Sequence, residues 1–221
     1  MQPVITAFAD SPDRGRGFAR DMRVRWALAE VGQAYDVRLL SFAEMKEAVH
    51  RTVRPFGQIP TFEADGAALF ETGAIILHIA ERHAGLLPAD SSARARVISW
   101  MFAAVGTVEP VIVEREAAGH AERDSPWYAQ RLPIIDNRIR NRLADLSTAL
   151  GEADWLVGDF SAADVLMIDA LRRLHGSDLL SEFPGLARYV SRGEERPAFR
   201  AAFDAQWAVY QAKLAREARP G

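Results

Sequence analysis

Two short stretches hold the residues whose types and spacing could do chemistry. At Ile59-Pro60-Thr61-Phe62 a proline stands at the mouth of a β-prone run, and at Glu71-Thr72 an apolar run ends in an acid and a hydroxyl where a helical pattern begins. A proline there removes one ladder donor, so it belongs at an edge or where the ladder stops. X-Pro is the linkage for which cis is cheap, about 0.5–1 kcal/mol above trans. A cis Ile59-Pro60 bond would turn the N–H and C=O of Ile59 outward, to pair strand-like with a bound peptide. The first N–H groups of a helix lack internal partners and attract an anion. Thr72 can cap that helix or donate to a carboxylate, and Glu71 can accept from an ammonium. Together they would hold an α-amino-acid head group, with the middle of a small peptide on Ile59. Either feature alone also fits a plain turn or a helix cap. Both at this spacing point to a site.

Composition narrows what such a site can do. The 221 residues contain no cysteine, which excludes disulfides, a thiolate nucleophile and a Cys-x-x-Cys pair. Any thiol chemistry must use a thiol that a ligand brings. The histidines at 50, 78, 83, 120 and 175 are scattered, and the spacing of His78 and His83 puts them on different helix faces, so no metal is expected. A net charge of -3, with acids interspersed among the arginines, gives no reason to expect nucleic acid or an anionic membrane. No uninterrupted apolar run approaches the roughly 20 residues that span a bilayer. The first residues lack the basic-then-apolar layout of a signal peptide. The expected location is the cytoplasm.

The elements that must position these residues follow from period and punctuation. Residues 4–9 read as a strand and 10–17 as a turn-rich loop. Residues 18–32 read as a helix, with Ala19, Met22, Trp26 and Ala29 at steps of three and four and Gly32 as its C-terminal cap. A strand over 34–40 completes a parallel crossover, and 42–51 reads as a weak helix. Asp65-Gly66 between short apolar runs predicts a hairpin, followed by a helix from Thr72 to Gly85. A linker is expected over 85–90, with Pro88 blocking helix continuation. Beyond it, long helical patterns run through 93–116, 127–150, 161–174 and 197–216. The expectation is an α/β domain over 1–84 and an all-α domain over 91–221.

The segment 54–83 resembles the N-terminal, thioredoxin-like domain of cytosolic-type glutathione S-transferases. It keeps Pro55, Gly57, Gln58, Ile59, Pro60, Glu71, Thr72, Ala74 and Ile75 of that family's pattern, and departs at Arg54, where asparagine is usual. "GDFSAADVLMIDALRRL" is similar to the family's late-helix signature, and physically it is a capping box, Ser161 with Asp164 three residues on. Its role is structural.

The resemblance implies binding of glutathione as co-substrate by Gln58, Ile59, Pro60, Glu71 and Thr72, with Gln58 on the glycyl end. It implies attack of the glutathione thiolate on a small hydrophobic electrophile, and a homodimer. A free thiol is only a few per cent ionised at neutral pH, and making it half ionised needs roughly 2 kcal/mol. The family supplies this from a Tyr, Ser or Cys after the first strand. Here that loop offers Ser11 as its only hydroxyl, with Arg14, Arg16 and Arg20 as alternative cations. Trp100, Met101 and Val105 of the helical domain are candidates for the electrophile pocket, although an apolar stripe at helical spacing is also what a core looks like. Two further readings stay open: a glutathione-binding carrier or interaction protein that has lost catalysis, and a glutathione-dependent isomerase or dehalogenase.

Overall fold

The central strand is β1 (Val4–Phe8), whose middle residues are buried on both faces. In the computed structural model, which describes residues 2–218, β1 pairs in parallel with β2 (Asp36–Leu40), Val4 opposite Asp36 and Phe8 opposite Leu40. On its other side it pairs antiparallel with β3 (Phe62–Ala64), Ile5 opposite Phe62, and β3 turns into β4 (Ala67–Leu69). The sheet order is β2-β1-β3-β4. The hairpin forms where Asp65 and Gly66 both take positive φ, 49° and 80°, as the favoured two-residue turn requires. Just before β3 the Thr61 N–H donates to Thr6 Oγ1 at 2.7 Å and the Thr6 N–H donates to the Thr61 carbonyl. These bonds tie the proline segment to the central strand.

The helix α1 (Asp21–Glu30) begins three residues later than its apolar spacing suggests, because the N–H groups of Phe18 and Ala19 go to the Asp13 carboxylate. Every residue from Asp21 to Leu28 is buried, since α1 packs against both α3 (Thr72–Arg82) and the last helix, α9 (Pro197–Glu217). Trp26 meets Phe199 edge to face at 5.0 Å, Arg196 forms a two-pronged ion pair with Glu30, and Gln206 donates to the Ala19 carbonyl. Residues 42–51 are not one helix. A single 3₁₀ turn at Glu44–Lys46 is followed, after extended Glu47, by the short α2 (Ala48–Val53).

Two compact units result. The first contains the residues up to Leu86 together with those from Arg196 onward, and the second runs from Leu87 to Glu195. Packing therefore places α9, which sequence order groups with the helical domain, in the unit built around the sheet.

In the second unit α4 (Ser91–Ala103) continues through a π-helical turn, Ala104–Val108, into α5 (Glu109–Ala121). Pro110 lacks the N–H that an uninterrupted α-helix would use, which accounts for the change of winding ahead of it. This rod is long and apolar enough to cross a membrane by length and composition alone. Here it packs against α6 (Tyr128–Leu150) and α7 (Ala162–Arg172). All eleven residues of α7 are buried. Its start is fixed by Asp164, which accepts from the Ser161 N–H and hydroxyl, the Leu156 N–H and the Tyr189 hydroxyl. Burial raises the Asp164 pKa even so. A further helix, α8 (Pro184–Glu194), buries Leu186, Tyr189, Val190 and Gly193.

Candidate functional site

The loop between α2 and β3 is pinned from outside, leaving its inner side to face the start of α3. Lys46 donates to the Gly57 carbonyl at 3.1 Å, and the His50 ring lies 2.7 Å from the Gln58 carbonyl. The Ile59-Pro60 bond is cis. The Ile59 side chain is buried, and among the described residues its backbone N–H and C=O take no partner.

Across from this loop, Glu71 is the N-cap of α3 with φ 67° and ψ 117°. A side chain rarely adopts that backbone, and such geometry costs about 1–3 kcal/mol. Thr72 follows, its hydroxyl accepting from the fully buried Arg23 at 3.3 Å. Thr72 Oγ1 therefore keeps its own proton to donate. The acid, the hydroxyl and the first N–H groups of α3 stand side by side in the chain, a set that suits a group carrying both a carboxylate and an ammonium.

One residue joins the loop to the helix start. Arg54 is buried, 3% exposed, yet it donates from Nη2 to Gln58 Oε1 at 2.6 Å and sits 3.2 Å from Glu71 Oε1 through Nη1. The Nη1 contact is an ion pair out of line for a hydrogen bond, so Nη1 and Nε have no acceptor. The Phe70 ring lies beneath the guanidinium, 5.4 Å from its carbon. Burial lowers the Arg54 pKa, Glu71 pulls it back, and the charge of Arg20 lowers it again. Gln58 and Glu71 thus share one guanidinium, Thr72 follows Glu71 in the chain, and Arg20 is within electrostatic reach of Arg54.

Ser11 belongs to a different cluster. Its hydroxyl donates to Asp13, whose carboxylate also accepts from the N–H groups of Gly15, Phe18 and Ala19. That proton is therefore committed within the loop. Arg16 donates to the Asp13 carbonyl and stacks on Phe18, and Arg14 is exposed with φ 56°. In the second unit Met101 is buried, whereas Trp100 and Val105 are half-buried.

Sequence reasoning missed Asp13 and Arg54. Asp13 two residues before Gly15 was a visible signal, because aspartate side chains bond backbone N–H groups two residues on. Arg54 gave only a weak one, a cation four residues before Gln58.

Comparison with known proteins places the site in context. The family description "Glutathione S-transferase, N-terminal domain" matches residues 14–81, and "Glutathione S-transferase, C-terminal domain" matches residues 113–203. A glutathione S-transferase of Antechinus stuartii is 28% identical over 176 residues, covering 76% of each chain. The disulfide-bond oxidoreductase YfcG of Escherichia coli is 28% identical over 158 residues, 66% of this chain and 71% of that protein. A glutathione transferase family member from Pseudomonas fluorescens, solved with two glutathione bound, superposes with a TM-score of 0.80 at 22% identity, covering 91% of this chain and 92% of that one. With a four-stranded sheet whose third strand is entered through a cis-proline loop, a helical unit after it and both halves matched in order, the chain belongs to the glutathione S-transferase family.

Proposed function

We propose that this protein is a glutathione transferase. Glutathione lies along the first unit, its γ-glutamyl head group on Glu71, Thr72 and the α3 N-terminus, its middle against Ile59 and Pro60, and its glycyl end on Gln58. The observation that carries this reading is that one buried arginine, Arg54, joins Gln58 to Glu71, with Thr72 next in the chain at the start of α3. The thiolate attacks an electrophilic carbon, a C–S bond forms, and the leaving group departs with its electron pair. Because the Ser11 proton is held by Asp13, we assign stabilisation of the thiolate to the loop's cationic side, with Arg20 the leading candidate. The family resemblance also supports a homodimer in the cytoplasm.

A second reading is favoured by the YfcG match. In a chain without cysteine, bound glutathione would supply the attacking thiolate for disulfide exchange, forming a mixed disulfide and releasing the other sulfur as a thiolate.

Calorimetric titration with reduced glutathione tests the site. Binding is expected, and Glu71→Ala should weaken it tenfold or more, as removal of a charged hydrogen-bond partner does. No binding to the unmodified protein would refute the reading. Turnover of an activated aryl halide supports transfer, turnover of a small disulfide supports exchange, and binding without either leaves a glutathione carrier.

A further inference from the structure

We propose that Arg54 is a positioning residue that decides which end of the Gln58 side chain meets the ligand. The assignment rests on the reading of Gln58 as the partner of glutathione's glycyl carboxylate. An amide can present either its oxygen or its NH₂, and only the NH₂ can hold a carboxylate. Arginine carries donors alone, so whatever faces it must be an acceptor. The 2.6 Å bond from Arg54 Nη2 to Gln58 Oε1 therefore fixes the amide with its NH₂ directed away from the guanidinium, on an exposed side chain.

Arg54 is itself held still. It is 3% exposed, the Glu71 carboxylate lies 3.2 Å from Nη1, and the Phe70 ring lies 5.4 Å from its central carbon. Two of its nitrogens are buried with no hydrogen-bond acceptor, which makes it a poor device for stability alone. Its one short hydrogen bond goes to a side chain that faces solvent. Groups that break a local rule in this manner are expected where function sets the residue. A lysine would place a single point charge there and could not serve Gln58 and Glu71 with one planar fork.

The test compares glutathione with γ-glutamylcysteine, which lacks the glycyl residue, by titration calorimetry. Arg54→Met should weaken glutathione about tenfold, the size of a lost charge-assisted contact. It should weaken γ-glutamylcysteine far less, so the preference for the longer peptide collapses. In a Gln58→Ala background the same substitution should leave that preference unchanged within about twofold, the coupling expected of two residues in contact. A second variant covers failure to fold. Gln58→Glu turns the Arg54 contact into an ion pair and should raise the melting temperature while abolishing the preference for glutathione.

Equal losses for both peptides, a tenfold effect that persists without Gln58, or a Gln58→Glu protein that still prefers glutathione would each overturn the assignment. An unmodified protein that binds neither peptide refutes the glutathione reading, and the Arg54 assignment falls with it. A protein that binds glutathione but is indifferent to Arg54→Met refutes the assignment alone.

Discussion

Gly15 offers a direct test of whether α9 clamps the loop that carries Ser11, Asp13 and the arginines. Its φ is +74°, and a Cβ added there would lie 2.7 Å from Trp207 Cζ3, nearer still to Cε3, and 3.2 Å from Tyr210 Cβ. Two separate costs follow from Gly15→Ala. Holding an L-residue in the left-handed region costs roughly 1–2 kcal/mol. Forcing a methyl into a packed ring costs about 1–3 kcal/mol, because interiors yield only by moving side chains off their rotamers. Trp207 is half-buried, and the Tyr210 ring, 5.7 Å away, blocks its retreat on one side. The sum, about 2–5 kcal/mol, is a large share of the stability of an ordinary domain. Urea unfolding followed by circular dichroism measures it. Trp207→Ala separates the two costs, because in that background only the backbone part of the Gly15→Ala penalty should remain. A penalty below about 1 kcal/mol, or the same penalty with and without the indole, would refute the clamp.

Two other consequences are open to measurement. Asp13→Ala strips an acceptor from the Ser11 hydroxyl and three backbone N–H groups, so amide exchange should accelerate at Gly15, Phe18 and Ala19 while the helical unit keeps its protection. Acceleration spread evenly over the chain would show that Asp13 has no local role. Burial pushes the Glu194 pKa up, but hydrogen bonds from His175 and Arg172 outweigh it and leave it below the ordinary glutamate range. The stability it contributes is present above that range and is lost as the pH falls through the lowered value. Stability should therefore decline as the pH falls through the ordinary glutamate range and below it, and Glu194→Gln should flatten that decline. Parallel curves for the two proteins would count against the pair.

The local features were legible where a short-range rule acts. Asp65-Gly66 announced the hairpin because few residue pairs accept two positive φ values in a row. Gln58, Glu71 and Thr72 stood out by pattern, and in the structure Gln58 and Glu71 share the guanidinium of Arg54 while Thr72 accepts from Arg23. Long-range packing left weaker marks. Leu186, Tyr189, Val190 and Gly193 carry helical spacing on one face of α8 with charges on the other, a strong amphipathic pattern that nonetheless went unread. The helical period of 197–216 was plain, but periodicity reports a buried face and not which partner buries it, so α9 could not be assigned to α1 from the chain alone. Ser11 looked like a free hydroxyl because sequence does not show that Asp13, two residues on, takes its proton. Arg54 read as a departure from a family pattern, and its burial depends on Phe70 and Glu71, sixteen and seventeen positions away.

Placing α9 in the sheet unit has a consequence for how the protein is made. Synthesis delivers β1 through α3 first, but the helix that covers Trp26 and Glu30 comes only after residues 87–195. At about 5–20 residues per second that interval lasts on the order of ten seconds. During it the nascent sheet unit exposes the side of Trp26 that Phe199 later covers and the Ala19 carbonyl that Gln206 later bonds. A helix made after the whole helical unit completes the first unit, so a chain broken off before Arg196 would surrender an unfinished sheet unit to chaperones and proteases.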